Sequence, residues 1–229
     1  MTKLDANLCV YCGALATTDD HVPPENIYPD PKPPNREFVP SCKICNQGCS
    51  KDDEYFRIVL AFNETAGVTP AANELWSKIR RSLNREEAVG FRTGLNDAMF
   101  LKQKTTPDGE VVDAVAMTID MPRVNKVVAR TVRGLHSERF DKRIPGDYRL
   151  RIYSDLDVGI YPETLSVQLS ELTELIRTGE HIVIKNGVFE YWCHQVFEDL
   201  NTSAWILCFF NTVHFLVLNL HEGVRPNAG

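Results

Sequence analysis

Two Cys-x-x-Cys pairs constrain the fold of this chain more than any other feature of its sequence. Cys9 and Cys12 form the first pair, Cys42 and Cys45 form the second, and 29 residues separate the two pairs. A two-residue spacer in a tight turn points both sulfurs toward one centre, so four thiolates can bind a single tetrahedral zinc ion. We therefore predict a structural Zn²⁺ site that closes a long loop, at an entropic cost that grows only slowly with loop length.

The composition is that of an ordinary globular protein. The chain has 229 residues, of which 43% are apolar and 24% are charged, and this allows a sizeable core. The first ten residues lack the apolar segment of a secretory signal, and polar residues interrupt the most apolar run, residues 204–220. We expect a cytoplasmic protein without a membrane span, whose reduced thiols are available for metal.

The loop between the two cysteine pairs is rich in proline. Residues 22–40 contain seven of the thirteen prolines, and each proline removes a backbone donor and restricts the residue before it. This segment therefore cannot form a helix or a central strand, and we predict a semi-rigid loop. It could serve as a spacer or contact a substrate directly.

Polar residues that could act in catalysis or bind a metal follow the cysteines in a fixed order. The first cysteine pair is followed by Asp20 and His21 in the sequence DHVPP, then by Asn35 ahead of VPSC, and finally by Asn46 in the sequence CKICN. In this order residues 9–57 resemble the HNH endonucleases, a family whose compact ββα-metal site is often braced by a four-cysteine zinc. The resemblance implies an N-terminal ββα-metal module, in which two strands and a helix surround a catalytic ion.

The resemblance also implies a role for each polar residue. His21 would be the general base that activates water, and Asp20 and Asn46 would hold one divalent ion, Mg²⁺ or Mn²⁺. Asn35 would steady the loop and the ring of the base histidine. In an extended strand Asp20 and His21 project to opposite faces, which lets the two neighbours do different jobs if the hairpin twists around the ion.

The sequence departs from the family at Cys49, where these enzymes often have a lysine near the phosphate. Lys51, two residues further on, or Lys43, inside the second cysteine pair, could supply the missing cation. Cys49 itself could line the site or fill space beside the zinc.

The charge distribution is mixed for a nucleic-acid enzyme. The net charge of −6 is unexpected, because phosphate binding usually leaves a basic footprint. Basic residues nevertheless recur on one side of a predicted helix over residues 122–135. Such a stripe could follow a phosphate backbone or could be the solvated face of a packed helix, and its members are Arg123, Lys126, Arg130 and Arg133.

Beyond the N-terminal module the sequence predicts an α+β fold. We expect helices over residues 71–84 and 85–102, a strand over 111–119, a helix over 165–178 and strands over 148–153, 182–196, 205–210 and 213–220. Asn186-Gly187 marks a hairpin turn within residues 182–196. We divide the chain into a zinc-braced module (residues 1–65) and an α+β region of unknown function (residues 66–229).

The function expected from the sequence is metal-dependent hydrolysis of phosphodiester bonds in a nucleic acid, DNA before RNA. The C-terminal region could bind the target, assemble a homo-oligomer or sense a trigger. The alternative is a catalytically inactive, zinc-braced module that binds nucleic acid or protein, which the acidic net charge and the missing lysine favour.

Overall fold

The structure is a computed structural model, and it describes residues 7–157, 162–196 and 199–223. Residues 1–6 of the predicted N-terminal module lie outside the described residues. The fold is a mixed α+β arrangement in which every sheet is antiparallel. Among the described residues no helix combines the length and the apolar character needed to cross a membrane.

A small hairpin carries the predicted site residues. Strand β1 (Thr18–Val22) pairs with β2 (Glu37–Ser41), and His21 lies opposite Phe38 in this register. Two helices follow directly, the short α1 (Lys43–Gln47) and the longer α2 (Ser50–Phe62). The sequence predicts no helix and no central strand over residues 22–40, and this holds for most of their length. Between the two strands the loop contains only a short 3₁₀ turn, Glu25–Ile27.

The proline-rich loop is fixed to the rest of the molecule at two places. The Nζ atom of Lys185 donates hydrogen bonds to the carbonyl oxygens of Pro29 (3.0 Å) and Pro31 (2.9 Å). Lys78 forms an ion pair with Asp30, with 2.7 Å between Nζ and Oδ2. Carbonyl groups of proline-rich segments lack a ladder partner, so lysine donors both satisfy them and hold the loop in place.

Side-chain caps define where the next helices begin. Asn63 accepts hydrogen bonds from the backbone N–H groups of Thr65 and Ala66 and starts α3 (Glu64–Gly67). Thr69 caps α4 (Pro70–Leu83), whose first residue is a proline that needs no N–H partner there. Helix α5 (Val89–Ala98) follows after a 3₁₀ turn, Glu86–Ala88.

A two-stranded hairpin replaces the end of a predicted helix. Residues 99–102 were expected in the helix over 85–102, but they begin β3 (Met99–Thr105), which pairs with β4 (Val111–Met117). This part of the prediction is wrong, because Met99 pairs with Met117 in the hairpin and the helix ends at Ala98. Both strands are largely exposed, and the turn at their tip contains Gly109 with a φ of 87°.

Helix α6 (Met121–Phe140) is the longest helix and runs beside α2 and the β1–β2 hairpin. Asp120 caps its N-terminus by accepting a hydrogen bond from the backbone N–H of Arg123 (3.3 Å). Its buried face includes Val124, Val128 and Leu135, which repeat at the spacing of an amphipathic helix.

The C-terminal part is a five-stranded antiparallel sheet in the order β5-β9-β8-β7-β6. Its strands are β5 (Tyr148–Ser154), β6 (Glu180–Lys185), β7 (Phe189–Gln195), β8 (Ser203–Phe209) and β9 (Val213–His221), and helix α7 (Glu163–Arg177) packs on β7 and β8. The turn between β6 and β7 contains Gly187 at a φ of 72°, as expected from the Asn-Gly pair.

One hydrophobic core runs through the N-terminal and C-terminal parts of the chain. The ring of Phe56 on α2 lies 5.2 Å from that of Phe209 and 5.9 Å from that of Phe215, measured between centroids. Buried residues as far apart in sequence as Val10 and Val217 belong to the same cluster. The predicted boundary near residue 65 falls within α3, and apolar side chains from both sides of it share this core.

Candidate zinc centre and adjoining polar site

The four cysteines converge in the manner expected from their spacing. The sulfurs of Cys9, Cys12, Cys42 and Cys45 all lie within 4.8 Å of one another, and those of Cys12 and Cys42 are 3.7 Å apart. Four thiolates at about 2.3 Å from a tetrahedral zinc would be roughly 3.8 Å from each other. The residues therefore fit a metal such as zinc.

Each knuckle is shaped by local backbone geometry. In the first, the N–H of Gly13 donates a hydrogen bond to the carbonyl oxygen of Cys9 (2.9 Å). Gly13 has a φ of 79°, a backbone angle that residues with a side chain rarely adopt. In the second, Cys42 caps α1, and its sulfur accepts the backbone N–H of Cys45 at 3.5 Å. Both turns thereby point their sulfurs inward.

The electrostatics of the cluster suit a cation. Burial would raise the pKa of the Cys9 thiol, but backbone N–H groups of Cys42, Cys12 and Tyr11 donate to its sulfur and bring the pKa down to about 6. Burial raises the pKa of Cys45, and the neighbouring thiols add to that effect. A bound cation would favour the thiolate form of all four residues, since the thiolate is the ligand of zinc.

His21 lies on β1 with its ring half-buried. Its Nε2 atom is 3.8 Å from Oε1 of Glu25, and its ring packs against Phe38 with the centroids 4.4 Å apart. Burial lowers the pKa of His21 and outweighs the opposite effect of the Glu25 carboxylate. The imidazole is therefore largely neutral at pH 7, the form that can accept a proton.

Asp20 points to the opposite face of β1 and is only 6% exposed. Its Oδ2 atom accepts a hydrogen bond from the hydroxyl of Tyr11 (2.8 Å) and lies 3.4 Å from Nε of Arg130 on α6. The same guanidinium donates to Oδ1 of Asp53 on α2, at 2.5 Å from Nη2. Asp20 is thus part of a buried ionic cluster that joins the hairpin, α2 and α6.

Asn46 lies beside β1, as its position in α1 allows. Its Nδ2 atom donates to the carbonyl oxygen of Asp19 (2.9 Å) and to the hydroxyl of Thr18 (3.2 Å). The carbonyl group of Asp19 immediately precedes Asp20 in the chain. The hydrogen bonds therefore hold α1 against the strand that carries both Asp20 and His21.

Asn35 is engaged elsewhere. Its Nδ2 atom donates to the carbonyl oxygen of Val183 on β6 at 3.4 Å. The resemblance implied that Asn35 steadies the loop and the ring of His21. The hydrogen bond instead ties the loop to the five-stranded sheet, and the ring of His21 is contacted by Glu25 and Phe38.

Asp20 and Asn46 do not form a ready site for a second, divalent ion. Among the described residues, the four cysteines are the one group of three or more His, Cys, Asp and Glu side chains close enough to hold a metal. The carboxylate of Asp20 already neutralises Arg130 in the protein interior. The fit that supports zinc at the cysteines is therefore absent for Mg²⁺ or Mn²⁺ at this position.

The basic stripe on α6 differs from the sequence expectation. Arg130 is 7% exposed and binds Asp20 and Asp53, so it cannot contact a phosphate. Arg123 forms an ion pair with Asp52 at 2.7 Å. Arg133 is partly buried and burial lowers its pKa. Lys126 is the one member of the stripe with most of its side chain, 69%, exposed.

Lys43 and Lys51, the two candidates for the missing family lysine, are both exposed. Neither side chain has a carboxylate partner among the residues that the structure describes. Cys49 lies at the N-cap of α2 and is not a member of the four-sulfur cluster. Both lysines thus remain available for an anion.

Sequence reasoning missed the residues that support the site. Tyr11, Asp53 and Arg130 hold Asp20, while Glu25 and Phe38 hold His21. Asp53 lies in the first turn of α2, where an acidic residue is ordinary, and no spacing rule connects it with an arginine 77 positions away. The one available signal is that Arg130 lies within the helix most rich in both valine and arginine.

The fold and the site together define a mixed α+β protein with a four-cysteine cluster that could hold zinc. Comparison with models of known families, with curated proteins and with solved structures found no match. The function must therefore be proposed from the residues themselves.

Proposed function

We propose that this protein is an endonuclease of the HNH type that hydrolyses phosphodiester bonds in DNA, with His21 as the general base. The observation that carries the proposal is the hydrogen bond from the Asn46 side chain to the carbonyl of Asp19. It brings the asparagine of the CxxCN sequence against the strand with the Asp20–His21 pair, two motif elements that are 25 or more residues apart in the chain.

As the general base, His21 removes one proton from water. As the water oxygen forms a bond to phosphorus, the bond from phosphorus to the 3′ oxygen breaks, and the leaving oxygen takes a proton from solvent. The products are a 5′-phosphate and a 3′-hydroxyl. The lowered pKa of His21 keeps its imidazole neutral, and the contacts with Glu25 and Phe38 limit its rotation.

We assign no step to a divalent ion, although the resemblance implies Mg²⁺ or Mn²⁺ at Asp20 and Asn46. For Asp20 to bind such an ion, its carboxylate would have to leave Arg130, which is buried between Asp20 and Asp53. A requirement for either ion is best measured directly, by adding each of them to the zinc-loaded protein.

The test is a plasmid-nicking assay on the full-length protein with Mg²⁺ or Mn²⁺. We expect His21→Ala to lower the nicking rate at least 100-fold, because general-base catalysis contributes roughly 10²–10⁴-fold. The matched control is His181→Ala, which removes a partly exposed histidine from β6. Equal nicking by wild type and His21→Ala, with zinc retained in both, would exclude His21 from the mechanism.

A second candidate function is a zinc-braced binding module without catalysis. The burial of Asp20 in an ion pair with Arg130 favours it, since this carboxylate is then a structural group. The same assay separates the two functions. A non-catalytic module would leave DNA intact under every metal condition, with wild type and His21→Ala indistinguishable.

A further inference from the structure

Two neighbouring cavities form a continuous groove away from the polar site. Their volumes are about 990 Å³ and about 400 Å³, and both are lined by Glu54, Ser82 and Arg85. The ends of α2, α4, α5 and α6 meet around the larger cavity, so the groove is built from four helices rather than from one flexible loop. We refer to it as the helix-end groove.

The helix-end groove is basic in a protein that is acidic as a whole. Of the residues that the structure describes, two with carboxylates line it, Glu54 and Glu87, although the formal net charge of the whole chain is −6. Glu54 is neutralised by Arg57 at 2.5 Å. The cationic side chains of the groove outnumber these carboxylates, and they are Lys51, Arg57, Lys78, Arg81, Arg85 and Arg123.

Three of these cations are exposed and lack a carboxylate partner within the described part of the chain. Lys51 lies in the first turn of α2, Arg81 in the last turn of α4, and Arg85 just beyond the end of α4. The Nε atom of Arg81 donates to the backbone oxygen of Ser77, which leaves its charge uncompensated. Unpaired cations along a groove are the feature expected of a surface that binds a polyanion.

The groove includes Lys51, which is close in the chain to Asn46. Lys51 follows Asn46 by five residues, so their Cα atoms are at most about 18 Å apart even in an extended chain. Double-stranded DNA carries one negative charge per roughly 1.7 Å of its axis. A duplex bound at His21 could therefore present several phosphates beyond Lys51.

We propose that the helix-end groove binds the phosphodiester backbone of duplex DNA beside the cleaved bond. The proposal rests on the proposed function for the identity of the polyanion. It places phosphate binding on Lys51, Arg81 and Arg85 rather than on the α6 stripe, where Arg130 is buried and Arg123 is paired with Asp52.

The test measures DNA binding separately from cleavage. A fluorescent duplex is titrated with zinc-loaded full-length protein that carries His21→Ala, and anisotropy is recorded between 50 and 200 mM salt. Arg81→Gln with Arg85→Gln should weaken binding at least tenfold. The slope of log Kd against log salt concentration should fall by about 2, since each lost phosphate contact removes roughly 0.9.

The control removes the same charge from other surfaces. Lys102→Gln on β3 and Arg177→Gln on α7 should leave both the affinity and the salt slope within error of the parent. Equal weakening by the groove variant and the control variant would overturn the proposal, as would an unchanged salt slope in the groove variant.

A structural role for Arg81 and Arg85 predicts a different result. Arg81 lies in the last turn of α4, where a cation also stabilises the helix dipole. If that were its role, the groove variant would melt at lower temperature without a change in salt slope, and the proposal would be wrong. The outcome is also independent of catalysis. Wild-type protein that binds DNA through the groove but never nicks it would contradict the nuclease proposal alone, and an RNA duplex that binds more tightly than DNA would overturn the assigned partner.

Discussion

Asp20 and His21 show how much the two faces of one strand can differ. The pair is adjacent in sequence, yet the carboxylate is buried against α6 and the imidazole is half-exposed. Strand alternation predicts this separation. Alternation cannot reveal that an arginine 110 residues away would meet the carboxylate, because that contact depends on how α6 packs. His21 was identifiable as a candidate base, whereas the partner of Asp20 was not.

Arg130 should be essential for stability. Replacement by methionine would leave Asp20 and Asp53 buried without a counter-charge, and we expect the free energy of unfolding at pH 7 to fall by about 3–5 kcal/mol. Urea denaturation gives this value directly. The matched control is Lys126→Met, four residues earlier on the same helix but 69% exposed, which should change it by less than about 0.5 kcal/mol.

An equal effect of the two substitutions would mean that the guanidinium does not stabilise the cluster. A double variant adds an independent check. Asp53→Asn removes one buried charge, so it should recover part of the stability lost in Arg130→Met, since residues in one ionic network are not additive.

At the scale of the element, most helices and strands of this chain are predictable from local sequence signals. Thr69-Pro70 starts α4, Asn186-Gly187 marks the turn between β6 and β7, and the valines of α6 repeat at helical spacing. The sequence prediction failed at residues 99–102, in β3. Strand β3 is exposed at most positions, so its pattern lacks the alternation that a buried face imposes. Pairing with β4, and not local preference, decides the conformation of β3.

The cysteine cluster should behave as one unit that holds β1, β2 and α1 in place. Cys42→Ser should abolish binding of about one zinc ion per chain and lower the melting temperature, because a structural zinc site contributes its binding energy to folding. Elemental analysis and a thermal melt provide the two measurements.

Cys49→Ser offers a close comparison. Its thiol lies four residues from Cys45 but outside the cluster, so the variant should keep its zinc. Zinc loss in both variants, or in neither, would be inconsistent with a site made by Cys9, Cys12, Cys42 and Cys45.

At the scale of the molecule, one hydrophobic core contains residues from both sides of the predicted boundary near residue 65. The aromatic ring of Phe56 touches those of Phe209 and Phe215 at the far end of the chain. The resemblance covers residues 9–57 and therefore carries no information about these contacts. The order of the five strands could not be predicted from the sequence either, since β5 pairs with β9 across more than 60 residues.

A fragment of residues 1–65 should not fold alone, even with zinc. Without the sheet, the buried face of α2 around Phe56 and Val59 would be exposed to water. Circular dichroism of the fragment should lack most of the helical signal, while the full chain should unfold in one transition. A folded, cooperative fragment would contradict the shared core.

Phe56→Ala tests the same idea in the intact protein. It should lower the free energy of unfolding by about 3–5 kcal/mol, whereas Val68→Ala, at a site that is 76% exposed, should have little effect.

The exposed turn of the β3–β4 hairpin has a practical use. Asp108 and Gly109 lie at its tip, and both are exposed. Exposed loop tips with small or polar residues accept inserted sequence better than other positions. A short peptide handle placed there would immobilise the protein on a sensor surface through residues that belong neither to the cysteine cluster nor to the helix-end groove.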